Sequence, residues 1–281
     1  MPDQADILRH LVAGAIRRRA LPKTESPPLL AVAGAKGGVG TTTVATNLSI
    51  ALANSGRRVL LADVNFCRAD VALHCDLKPR HTTRDILAGR RDIHETLIAG
   101  PEGIQVSAGA WASPDSPEIR PAAQQRLIDQ LQRLGNHVDL IVLDIGCDTG
   151  ETAQRYWQAA DHVLLITTAD SVAVMDAYAA VKIAGANCAQ PNIHIIVNQL
   201  GSEDDPADVH ARIDRSCQRF LDLRVALAGS IPVDHNVPAA AAARTPLASY
   251  APQCPAATAI AQIATELTQW NTMQTNQLAT A

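Results

Sequence analysis

Residues 34–53 read GAKGGVGTTTVATNLSIALA, a glycine-rich turn set between the apolar run LLAVAGA and an apolar helical pattern. No other feature restricts the fold as much. Glycines let successive backbone N–H groups curl around an anion, and a helix N-terminus adds positive potential at the same point. The ordinary phosphate-binding loop has the spacing G-x-x-x-x-G-K-[ST], and its Lys reaches the β- and γ-phosphates. Here Gly34 is followed by Ala35, Lys36, Gly37, Gly38, Val39 and Gly40, and Thr41 stands where that Lys belongs. Thr42 takes the hydroxyl position suited to Mg2+, and Thr43 follows it. Gly37 through Thr43 are therefore the candidate phosphate-binding residues, with the loop Lys lost.

The rest of the chain repeats the strand-then-helix alternation. RVLLADV, GIQVSAG, DLIVLDIG, DHVLLITT, NIHIIVNQ and RVALAGSI are apolar strand candidates. TTRDILAG, PAAQQRLIDQLQRLG, ETAQRYWQAA, SVAVMDAYAAVKIAG and DPADVHARIDRSCQRFL read as helices between them. Continuously apolar strands alternating with helices predict an α/β fold, a mostly parallel doubly wound sheet with helices on both faces. A last helix is expected from about Ala256 to Trp270, where Ile260, Ile263, Leu267 and Trp270 recur at helical steps. In the helix SVAVMDAYAAVKIAG, Val172, Met175 and Ala179 are expected to face inward.

The N-terminus is different. Residues 1–20 read as a separate helix capped by Asp3, with Ile7, Leu8, Leu11, Val12, Ala15 and Ile16 on one apolar stripe. Arg9 and Arg17, Arg18 and Arg19 make its far end basic. LPKTESPP, residues 21–28, is a proline-broken linker. The expected organisation is thus a helix at 1–20, a linker at 21–28, one nucleotide-binding domain at 29–270 and a flexible tail at 271–281.

Composition excludes several classes. A formal net charge of −4 over 281 residues argues against a nucleic-acid-binding protein. The six cysteines have no C-x-x-C spacing, so they read as free thiols in a reducing cytosol. There is no secretory leader pattern and no run of about 20 apolar residues that would span a bilayer.

KGGVGTTT resembles the deviant Walker A motif of the MinD/ParA class of P-loop ATPases, K-G-G-x-G-K-[ST]. That class carries an additional signature Lys early in the loop, which in relatives reaches the partner's nucleotide across a homodimer formed on ATP. Lys36 matches it. LLADVNFCRADVAL is similar to the strand IDADLGLANLDV; Asp63 matches its first acid, and the second, which helps place the attacking water, is Asn65. LIVLDIGCDTG resembles the segment IDTGAG; Asp144 matches the acid that holds Mg2+ through water and Gly146 a switch glycine, while Asp148 replaces the last glycine. IIVNQL puts Asn198 at an adenine-contacting position, and GSIPVDHNVP puts Pro232 along the adenine pocket. The resemblance implies ATP and Mg2+ as cofactors. Lys36, Asp63 and Asp144 would be the catalytic residues, and Thr42 and Asp144 the metal-holding ones.

Three departures, Thr41, Asn65 and Asp148, fall around the phosphates. Phosphoryl transfer depends on positioning and charge stabilisation, so losing the Lys alone slows it by orders of magnitude. They fit a slow switch, a non-hydrolysing scaffold, or drift compensated elsewhere, and the sequence leaves all three standing. DQADILR, residues 3–9, is similar to the D-Q-A-x-x-L-R motif of the FlhG (FleN) family of flagellar ATPases, and TTADSVAVMDAYAAVK to that family's TTPEPTSIMDAYALIK. That resemblance implies an FlhF-type GTPase as partner, met by Asp3, Gln4, Ala5, Leu8 and Arg9. Relatives often end in a membrane-binding helix. Here no Lys or Arg follows Arg244, so peripheral contact with the inner face of the cell membrane would fall to the basic N-terminal helix. A pilus-assembly relative of the CpaE/TadZ type and a ParA partition ATPase are the rival resemblances. The first is disfavoured by the short segment before the first strand, the second by the mild acidity.

Overall fold

The computed structural model describes residues 26–111, 119–186 and 192–278. Eight strands form one sheet: β1 (Leu29–Gly34), β2 (Val59–Asp63), β3 (Leu97–Ala99), β4 (Gln105–Ser107), β5 (Leu140–Gly146), β6 (His162–Thr167), β7 (Ile193–Leu200) and β8 (Ala226–Pro232). Their order is β3-β4-β2-β5-β1-β6-β7-β8. All neighbours run parallel except β3 and β4, which pair antiparallel at the edge. The long helices are α1 (Thr41–Asn54), α2 (Pro121–Gln132), α3 (Glu151–Ala159), α4 (Ser171–Ala186), α5 (Pro206–Leu221) and α6 (Pro255–Leu278).

The period of two along each strand builds two cores. In β1, Leu29, Ala31 and Ala33 face one side with Leu127, Tyr156, Val181 and Ile213 of α2 to α5. Leu30 and Val32 face the other with Val44 and Leu48 of α1 and Ile260 and Ile263 of α6. Because both faces are covered, β1, β2, β5 and β6 are buried at every residue. This is the doubly wound α/β sheet that the alternation predicts.

Two expectations are corrected, and one strand was not expected. The strand β3 is too short and too exposed to show a pattern. In α4 the inward stripe is Ala173, Ala177 and Val181, while Val172 is 61% and Met175 72% exposed, and Ala179 is exposed too. Ala180 and Ala184 continue that stripe, and the helical period then turns Val172 and Met175 out. Finally, α6 runs on to Leu278, past the helix end expected at Trp270. NTMQTNQL holds no Gly or Pro to stop a helix. The segment 1–20 and most of the linker lie outside the described residues.

Candidate functional site

The central strand β1 lies between β5 and β6, so the loops leaving their carboxyl ends converge around the glycine loop at 35–40. Crevices at such points are where open α/β sheets bind ligands. Gly40 ends the loop with φ +90 and starts α1, where its carbonyl accepts the Val44 N–H at 2.9 Å. A Cβ at Gly40 would come within 2.5 Å of Asn198 Nδ2. Glycine is needed there both for the backbone and for the approach of β7. Ala35 N–H donates to Ile166 O at 2.9 Å, which fixes the loop's start on β6.

Thr41 is 7% exposed and its hydroxyl rests against Gly34. The side chain that replaces the loop Lys is therefore turned into the fold and offers no charge to a phosphate. Thr42 and Thr43 are half-buried in the first turn of α1. Asn198 is buried at the end of β7 and its Nδ2 donates to Val39 O at 2.7 Å. Gln199 Nε2 donates to Gly38 O at 2.9 Å. Two side-chain amides thus hold two successive carbonyls of the loop. Sequence reasoning found Asn198 but missed Gln199; the pattern of a strand end gave no sign of it.

Lys36 stands on the rim. Its Nζ lies 2.9 Å from both carboxylate oxygens of Asp170, just before α4. Asp170 is a second residue that sequence reasoning missed. The Thr168 hydroxyl, then the Lys36 ammonium, hold its carboxyl well below the usual carboxylate range.

The acids meet beneath the rim. Asp63, the last residue of β2, pairs in register with Asp144, two residues before the end of β5, and both are 0% exposed. Burial, then the charge of Asp144, pushes Asp63 well above the usual carboxylate range. Burial raises Asp144 as well, against the pull of the Thr42 hydroxyl and the Gly146 N–H. Asp144 Oδ1 accepts from Gly146 N–H at 3.2 Å. Asp144 Oδ2 is buried without a hydrogen bond of ordinary geometry, although the Thr42 hydroxyl is near enough to favour the charge. An orphaned carboxylate oxygen beside a hydroxyl suits a hard divalent cation. Asp70, 8% exposed, adds to the local negative potential and is paired with Arg68 at 2.6 Å.

Asn65 has a structural job. Its Oδ1 accepts the Arg68 N–H at 3.1 Å, and its carboxamide packs on Gly146 so closely that a Cβ there would overlap it. Asp148 Oδ1 accepts the Gly150 N–H at 2.8 Å, which closes the turn after β5. Pro232 ends β8 opposite Leu200, two residues beyond Asn198 on β7. The five described cysteines are free, and Cys147 Sγ lies 3.9 Å from the Cβ position of Gly37. Among the described residues no helix is long and apolar enough to cross a membrane. Asp3, Gln4, Ala5, Leu8 and Arg9 lie outside the described residues.

A family model described as ParA, NUBPL iron-transfer P-loop NTPase, matches residues 27–268. The antiactivator FleN of Pseudomonas aeruginosa is 28% identical over 242 residues, 86% of each chain. The septum site-determining protein MinD of Synechocystis is 30% identical over 217 residues, 74% of this chain and 77% of that one. Among solved structures, the cell division ATPase MinD of Pyrococcus furiosus superposes with a TM-score of 0.75 at 23% identity, covering 86% of this chain and 99% of that one. A MinD of Pyrococcus horikoshii complexed with Mg-ADP gives 0.73 at 23% identity, covering 86% and 95%.

Proposed function

The chain belongs to the ParA family of P-loop NTPases, and from that premise we propose that it is a nucleotide-dependent regulatory switch acting on the placement or number of flagella. Its relatives include an antiactivator FleN and a flagellum site-determining protein YlxH of Helicobacter pylori, 26% identical over 185 residues. The observation that carries the reading is the position of Lys36. Its ammonium lies outside its own loop, on an exposed rim and held by a carboxylate it can leave. A cation so placed suits the nucleotide of a second copy closing face to face.

In this reading the loop from Gly37 to Thr43 takes the phosphates of ATP through backbone N–H groups. Asn198 and the backbone near Pro232 border the base. Asn198 spends its Nδ2 on Val39 O, which leaves its Oδ1 to accept from an adenine amine. Thr42 and Asp144 would hold Mg2+. When bound, the ion supplies positive charge that neutralises the phosphates, as family members use it. The buried pair of Asp63 and Asp144, whose charged forms burial disfavours, would be relieved by that charge. Turnover is slow because Thr41 provides no cation.

Residues 3–9 would act on an FlhF-type GTPase, with Gln4 placed to orient water, and the basic end of the helix at 1–20, Arg17 to Arg19, would touch anionic lipid. The test is the solution mass of the full chain by light scattering, with and without excess Mg-ATP. A doubling supports the switch. Loss of GTPase stimulation in Gln4→Ala tests the partner; an unchanged rate of a cognate FlhF-type GTPase would sink that part alone. The inward turn of Thr41 favours one second reading, a non-hydrolysing scaffold, which a mass indifferent to ATP would select.

A further inference from the structure

We infer that Gln199 is a positioning residue that aims the phosphate loop; the inference rests on the nucleotide reading above. Gln199 has φ +54, a left-handed backbone uncommon outside glycine. Such strain persists only where surroundings enforce it, and it gathers at functional sites. Here the enforcement is visible. The β7–β8 pairing shifts register between Val197 and Leu200, so Asn198 and Gln199 leave the ladder. Pairing resumes at once, with Leu200 opposite Pro232 and Leu200 O accepting the Val233 N–H at 3.0 Å. The Gln199 side chain is exposed, so no core packing explains the residue.

What the distortion achieves is the bond from Gln199 Nε2 to Gly38 O. A peptide unit is planar, and in the trans form its C=O and N–H point in opposite directions. Holding the Gly38 carbonyl outward therefore aims the Val39 N–H inward. Asn198 does the same for the next unit, holding Val39 O and aiming the Gly40 N–H. Without the amide of Gln199, a Gly38 in open space with φ +84 is free to turn that peptide and present its carbonyl to an anion. Because Thr41 brings no cation, the direction of these N–H groups carries more of the phosphate attraction than in a loop with the Lys.

The experiment is calorimetric titration of the full chain with Mg-ADP and, separately, with Mg-pyrophosphate. Gln199→Gly removes the amide and suits the left-handed backbone, so it folds at least as well. Gln199→Glu keeps the length but cannot donate. Gln199→Gly is expected to weaken the two ligands by the same factor, about three- to tenfold for one lost hydrogen bond, and Gln199→Glu to weaken each by at least as much, since it also adds a negative charge. The melting temperature of ligand-free Gln199→Gly is expected to stay or rise, which a merely structural residue would not allow. Unchanged affinity in both variants, or a loss that tracks a lower melting temperature, overturns the inference. A wild type that binds neither ligand removes the nucleotide reading and this inference together.

Discussion

Lys36 Nζ sits 2.9 Å from each carboxylate oxygen of Asp170, and the same carboxylate caps α4 by accepting the Ala173 N–H at 3.0 Å. One acid thus ties the rim lysine to the first turn of a helix whose exposed residues, Val172 and Met175, lie beside it. For Lys36 to serve a second copy it must give up this contact. The pair is a third to a half exposed, so it is worth at most about 1 kcal/mol.

Asp170→Asn keeps an oxygen for the cap and frees Lys36. ATP-dependent dimerisation should then need about three- to fivefold less protein, with the melting temperature nearly unmoved. Light scattering across a concentration series reads this directly. A dimer no easier to form would mean that Asp170 does not restrain the lysine.

Thr41→Lys should raise Mg-ATP affinity by about tenfold or more, since a cation close to the phosphates gains several kcal/mol at moderate effective dielectric, less its desolvation. The new side chain must leave the niche against Gly34, so a small loss of ligand-free stability is expected alongside. Titration calorimetry and thermal melts separate the two effects.

Asp144→Asn should stabilise the ligand-free protein at pH 7 and abolish the extra stabilisation by Mg-ATP. The sign follows from burial, which raises the folded carboxyl above the usual carboxylate range. Its ionised form therefore weakens the fold above the folded pKa, and the penalty is gone below the unfolded one. The melting-temperature gap between variant and wild type should accordingly close as pH falls from 7 toward 4. A gap that widened would place the charge in a favourable environment instead.

Gly146→Ala should cost about 1–3 kcal/mol. Gly146 has φ +73, and the added Cβ would overlap the Asn65 carboxamide. Adding Asn65→Ala should recover the steric share and leave the backbone share. Denaturant melts of the two singles and the double give the coupling.

The sequence by itself determined that apolar strands alternate with helices and that a glycine loop follows the first strand. Apolar runs such as LIVLDIG and VLLAD carry their own period and length, and a glycine loop after β1 admits few geometries. Asp63 and Asp144 were legible through the resemblance of LLADVN and LIVLDIG to family segments, each acid standing at or near the carboxyl end of its apolar run. Only the tertiary structure decided what the side chains at the loop's rim do. The helix α4, SVAVMDAYAAVKIAGA, is apolar on most sides, so its own pattern does not fix which stripe meets the sheet. Asn65 looked like a missing acid until its carboxamide was found against Gly146. Asp170 and Gln199 meet Lys36 and Gly38 from 134 and 161 residues away. Contacts of that span are set by the order of strands across the sheet, and the order is a property of the packed whole rather than of any local stretch.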